Sequence, residues 1–139
     1  MRLLLLMLAL PLAYAQDPWL TILGDPTSAN VDTIQVDPIP VSVSGDYRTM
    51  RVRVNRATKR TNWDGIPYRS YESTVVFDCA SNTARYIEIR FYLQPVWLGE
   101  THQAVTYPNT MPRWMIFGEV DPNPYQKIIH AACGAIGRR

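Results

Sequence analysis

Apolar and polar positions alternate along most of the chain. Met50, Val52 and Val54 alternate with Arg51, Arg53 and Asn55, which gives a strand one apolar and one polar face. Tyr71, Val75, Phe77 and Cys79 share a parity against Glu72, Thr74 and Asp78, and Ile87, Ile89, Phe91 and Leu93 repeat the pattern against Glu88 and Arg90. Three consecutive strands of this kind predict an antiparallel meander. Weaker strands are predicted at 19–23 and 33–36, separated by the Gly24-Asp25-Pro26 turn, and short ones at 96–101 and 114–117. Pro38 and Pro40 argue against a central strand where they stand.

The turns set a register. A fold-back about Asn62 and Trp63 places Met50 opposite Val75, Val52 opposite Ser73 and Arg53 opposite Glu72, so that apolar and charged faces match together. A second turn through residues 80–83, with Asn82 left-handed, sets Phe77 opposite Ile87 and Val75 opposite Ile89. Helical period occurs once. Asp121-Pro122-Asn123-Pro124 is a start signal, Tyr125, Ile128, Ile129, Ala132 and Cys133 lie on one stripe, and Gly134 is the expected stop before a frayed tail from Ala135 to Arg139. The predicted fold class is α+β: a small antiparallel sheet of five to six strands with a meander core and one C-terminal helix packed on it.

The N-terminus changes the reading of the cysteines. Arg2, the apolar run Leu3 to Leu12 and the small-x-small pattern Ala13-Tyr14-Ala15 have the order of an export signal. The expected division is a signal peptide at 1–15 and a single domain at 16–139. The apolar run falls short of the roughly 20 residues that span a bilayer, no later segment is long enough, and no cysteine stands at the cleavage point for lipidation. An exported chain meets an oxidising compartment, so Cys79 and Cys133, the only two cysteines, are expected to pair and tie the helix to the sheet. Two unpaired core thiols are the alternative.

These residues resemble a known family. The export signal, the Arg51-Val52-Arg53-Val54 strand, the core strand ending Val75-Val76-Phe77-Asp78-Cys79 and the helix ending Ala131-Ala132-Cys133 together look like the surface-adhesin protein E family. The resemblance runs from about Thr33 to Gly134. It implies a disulfide between the C-terminal helix and the sheet, and a surface protein that attaches to host matrix or serum glycoproteins such as vitronectin and laminin.

Charge is segregated. Residues 16–47 hold five acidic side chains and no Lys or Arg, whereas 48–69 hold seven basic side chains against Asp64 alone. Lys plus Arg number 14 and Asp plus Glu 12, so cleavage removing Arg2 leaves 13 minus 12, a net of +1, and no general attraction to nucleic acid or membrane is expected. Local attraction is expected at the hairpin tip, where Lys59, Arg60, Trp63 and Tyr68 combine cations and aromatic rings into a candidate binding patch. The alternative for that tip is rings folded back on the sheet beneath solvated cations. Arg51 and Arg53 are expected to pair with Glu72 and the acidic N-terminal segment.

Catalytic chemistry finds little support. His102 and His130 are the only histidines, and neither has metal-ligand spacing to a partner. Disulfide pairing removes a thiol nucleophile, and Ser70, Ser73 and Ser81 have no base visible in the sequence. The expectation is a non-enzymatic, exported binding protein without cofactor or metal, at the cell surface or in the periplasm, with self-association through a sheet edge as an added possibility. The second functional reading is a periplasmic accessory or inhibitor-like module that binds an envelope component or small ligand between sheet and helix, with Trp97, Trp114 and Tyr107 as an apolar wall.

Overall fold

The alternating segments form one antiparallel sheet. The computed structural model describes residues 19–135, so the predicted export signal and the end of the predicted tail lie outside the described residues. The strands are β1 (Leu20–Leu23), β2 (Thr33–Val36), β3 (Ser42–Ser44), β4 (Tyr47–Thr61), β5 (Pro67–Asp78), β6 (Thr83–Tyr92), β7 (Gln103–Thr106) and β8 (Arg113–Trp114). Six lie in the order β1-β2-β4-β5-β6-β7; β3 also pairs with β4, and β8 with β6. Pro38 and Pro40 fall between β2 and β3, which pair in succession with β4 through Val36↔Val52 and Ser42↔Thr49. A proline cannot donate to the ladder, so this flanking row is interrupted there.

The first hairpin has the register that the alternation requires, with Met50↔Val75, Val52↔Ser73 and Arg53↔Glu72. Val52 and Val75 are fully buried, and the buried Ser73 hydroxyl donates to the Val52 carbonyl at 2.7 Å. The second hairpin corrects the predicted register. Asp78 pairs with Thr83, so the loop is one residue earlier, and Phe77 faces Ala84 while Val75 faces Tyr86. A bulge then shifts the register, with Thr74 opposite Glu88 and Ile87 as the extra residue. The apolar face of β6 is therefore Ala84 and Tyr86 before the bulge and Ile89 and Phe91 after it. Leu93, predicted to face inward, is 49% exposed because pairing has ended. Asn82 takes the expected left-handed conformation at φ 55.

Two further predictions are corrected after β6. Residues 96–101 are not a strand: Pro95–Trp97 is a 3-10 turn, and the next strand is Gln103–Thr106. The segment predicted at 114–117 contributes only Arg113–Trp114 to the sheet. In the turn, Val96 and Trp97 have φ of 47 and 58, a conformation costing about 1–3 kcal/mol per non-glycine residue. Buried polar groups hold it in place. Asn55 Oδ1 accepts from Val96 N at 2.7 Å, and Ser70 Oγ accepts from Trp97 N at 3.0 Å.

Helix α1 (Tyr125–His130) continues into a wider π turn, Ala131–Ala135, that runs past the predicted stop at Gly134. Ile128, Ile129 and Ala132 join the buried cluster that contains Met50, Val75 and Phe77. Cys79 and Cys133 are bonded, with Cα atoms 5.6 Å apart, so the terminal helix is tied to the end of β5. The opposite sheet face is polar but ordered. Arg53 Nε donates to Gln35 Oε1 at 2.7 Å, Arg51 pairs with Asp37 at 3.0 Å, and the Arg53 guanidinium lies 4.4 Å from the Trp19 ring and 4.0 Å from the Trp97 ring. Arg51 thus meets the acidic N-terminal segment as expected, while Arg53 faces Glu72 in register and bonds Gln35.

Candidate functional site

The end of the sheet away from the disulfide is shaped by a bulge in β4. β4 advances from Asn55 to Arg60 while β5 moves only from Ser70 to Tyr68, so three extra β4 residues bend the hairpin out of plane. The bend is closed by Asn62, whose Oδ1 accepts from Asp64 N at 2.9 Å and Ile66 N at 2.8 Å. The Asn62 side chain thus adds to the backbone bonds that close the tip, Asn62 N to Ile66 O at 2.9 Å and Gly65 N to Asn62 O at 3.1 Å, a common use of the residue in turns.

The four predicted patch residues separate into two groups. Lys59 is exposed, Arg60 is partly exposed with Nη1 4.0 Å from Glu119, and Trp63 is 49% exposed. Tyr68 is instead 8% exposed and packs edge-on to Tyr71 at 5.6 Å between centroids and against Phe91 at 5.3 Å. Tyr68 is thus folded back on the sheet, as in the alternative reading of the tip. The sequence reading missed Arg113 and Ile116 and gave Trp114 another place, and the three complete the exposed end. Arg113 stands 5.3 Å from the Trp63 ring and 3.4 Å from Asp64, and Trp114 and Ile116 are 49% and 59% exposed. Exposed pairs of this kind contribute about 0–1 kcal/mol, so they orient the cations more than they stabilise the fold.

Under this tip lies a cavity of about 380 Å³. Its floor is the apolar face of the sheet at Tyr71, Tyr86, Ile89 and Phe91, and its rim includes Trp63, Trp114 and Phe117. Arg56, at the start of the bulge, also lines it, with a side chain only 6% exposed and Nε 3.2 Å from Asp32 Oδ1. The sequence did carry a signal for Arg56. It has the same parity as Met50, Val52 and Val54, so a charge stands at a core position. The bulge that lets it stay there leaves no mark in the alternation.

Burial raises the pKa of Tyr71 and Tyr86 well above the ordinary phenol value, and it raises Tyr68 and Tyr107 as well. The Tyr71 and Tyr86 hydroxyls are 2.6 Å apart and share one hydrogen bond. In the unfolded chain tyrosines ionise near pH 10, while the folded protein keeps these protons. Their contribution to stability is complete below about pH 10 and is lost as pH rises toward the folded values. Urea midpoints measured from neutral pH upward should fall above about pH 10, and less steeply in Tyr71→Phe. An identical slope in that variant would remove the buried phenols as the cause.

The predicted Trp97, Trp114 and Tyr107 wall does not form. Trp97 lies on the opposite face against Arg53, its Nε1 donating to Tyr71 O at 2.9 Å and Val54 O at 3.2 Å, while Tyr107 is buried behind Trp63 with ring centroids 6.1 Å apart. The roof over this end is the 114–119 segment and not the helix. His102 and His130 are exposed, and among the described residues no group of three or more His, Cys, Asp or Glu could hold a metal ion. No helix of the described residues is long and apolar enough to cross a membrane.

The described residues thus form a disulfide-tied open sheet, polar on one face and ending in an exposed array of cations and aromatic rings. The chain belongs to the surface-adhesin protein E family, whose model matches residues 19–134. Membership implies a surface adhesin. No curated protein and no solved structure matches the chain.

Proposed function

We propose that this chain is an exported, non-catalytic adhesin that attaches to a host matrix or serum glycoprotein such as vitronectin or laminin through the tip of the β4–β5 hairpin. Residues 1–15 act as the signal peptide and 16–139 form the mature single domain. The observation that carries the reading is the clustering at one end of Lys59, Arg60 and Arg113 with half-exposed Trp63 and Trp114. Large rings and arginines beside one another are the composition of interface anchors, and a hairpin tip projects them toward a partner. Family membership supports attachment as the role. The Cys79–Cys133 bond agrees with export to an oxidising compartment.

An adhesin must reach the outside of the cell. Protease added to intact producing cells is expected to degrade the protein while leaving a periplasmic marker whole. Survival of the protein until the envelope is opened would overturn surface display and favour the periplasmic accessory reading.

A further inference from the structure

The cavity beneath the hairpin tip has a chemistry that attachment through exposed cations does not use. Arg56 and Asn62 both line it, and Arg56 Nη2 and Asn62 Nδ2 are buried without a well-formed hydrogen bond among the described residues, the Tyr68 hydroxyl being a further neighbour of the Arg56 guanidinium. Leaving such a group unpaired costs about 1–3 kcal/mol, more when it is charged, so two on one cavity call for an acceptor from outside. Asp32 occupies only the Nε edge of Arg56, and a guanidinium has donors for a second carboxylate. The Tyr71 and Tyr86 hydroxyls are joined to each other by one hydrogen bond.

Apart from Thr61 and Glu119, the remainder of the lining is mostly aromatic and aliphatic. Tyr71, Tyr86 and Phe91 present rings from the sheet, and Trp63 and Trp114 stand opposite at the rim. A volume of about 380 Å³ lies within the range of small-molecule sites, which are largely apolar with a few fixed polar groups. We infer that this cavity binds a small aromatic carboxylate, its ring among Tyr71, Tyr86 and Phe91 and its carboxylate accepting from Arg56 Nη2 and Asn62 Nδ2. Glu119, 72% exposed and 4.0 Å from Arg60, stands at the mouth, where its charge is solvated and partly offset. The inference does not depend on the adhesin reading, because none of the exposed hairpin cations is required.

Three probes with one indole body separate charge from shape: indole-3-acetate, indole-3-acetamide and tryptamine. Titrated into the oxidised protein, the acetate should bind saturably, shift the backbone amides of Tyr71, Tyr86 and Gly118, and exceed the acetamide in affinity by about tenfold. Arg56→Gln should abolish that preference. Asn62→Asp keeps the acceptor that closes the turn but places a like charge on the cavity, and it should abolish the preference as well. Should Arg56→Gln fail to fold, Asn62→Asp decides alone. Equal binding of acid and amide, tighter binding of tryptamine, a preference that survives the substitutions, shifts away from the cavity, or no saturation in the millimolar range would each overturn the inference.

Discussion

Replacing both Cys79 and Cys133 by Ser lowers the stability of the domain by about 4 kcal/mol in the chain-entropy description of the disulfide. The bond closes a loop of 54 residues, long enough for its removal to release a large unfolded ensemble. The element that it holds cannot compensate. Helix α1 has six residues, far below the length at which a helix persists alone, and only Ile128 and Ile129 of its side chains are buried. Urea unfolding of the double variant should show a lower midpoint, and amide exchange should accelerate first in 125–135, where the tether is lost. A loss below about 1 kcal/mol would mean that packing of the helix on the sheet suffices without the bond.

Phe77→Ala should cost about 3–5 kcal/mol, the range for deleting a buried aromatic side chain. Phe77 is fully buried, faces Ala84 across the hairpin, and shares a cluster with Met50, Met115 and Ile128, so no small neighbour can fill the space left behind. Leu93→Ala is the matching control. The alternation gives Leu93 the same inward parity as Phe91, yet it is 49% exposed, and its removal should change stability by less than about 0.5 kcal/mol. Equal losses at the two positions, read from urea midpoints, would contradict the β6 register.

That pair of residues shows what the sequence could and could not convey. Where strands run without interruption, alternation decides the register: Met50↔Val75 and Arg53↔Glu72 follow from parity, because any odd shift would bury arginines. The helix stripe and the disulfide were legible for the same reason, since period and compartment restrict the choices. Bulges erase this information. The extra residue at Ile87 and the three extra residues between Asn55 and Arg60 reset parity locally, and neither has a compositional mark. The candidate site sits at the second of these, which is why Lys59, Arg60 and Trp63 are recognisable as an exposed tip while the choice for Tyr68 between patch and folded-back ring is open in the sequence. Arg56 and the 113–116 segment come together with the tip only through the fold, since Arg113 and Asp64 are 49 residues apart in the chain.

Binding of the oxidised protein to immobilised vitronectin and laminin, at low and at physiological salt, tests the central claim most directly. The wild-type protein should bind at least one of them saturably and more weakly as salt rises, because exposed cations are screened over a Debye length of about 8 Å at physiological ionic strength. The Lys59→Ala, Arg60→Ala and Trp63→Ala triple variant, confirmed as folded by circular dichroism, should lose that binding. Undiminished binding by the folded triple variant, or no binding by the wild-type protein at either salt concentration, would contradict an adhesin that works through the hairpin tip.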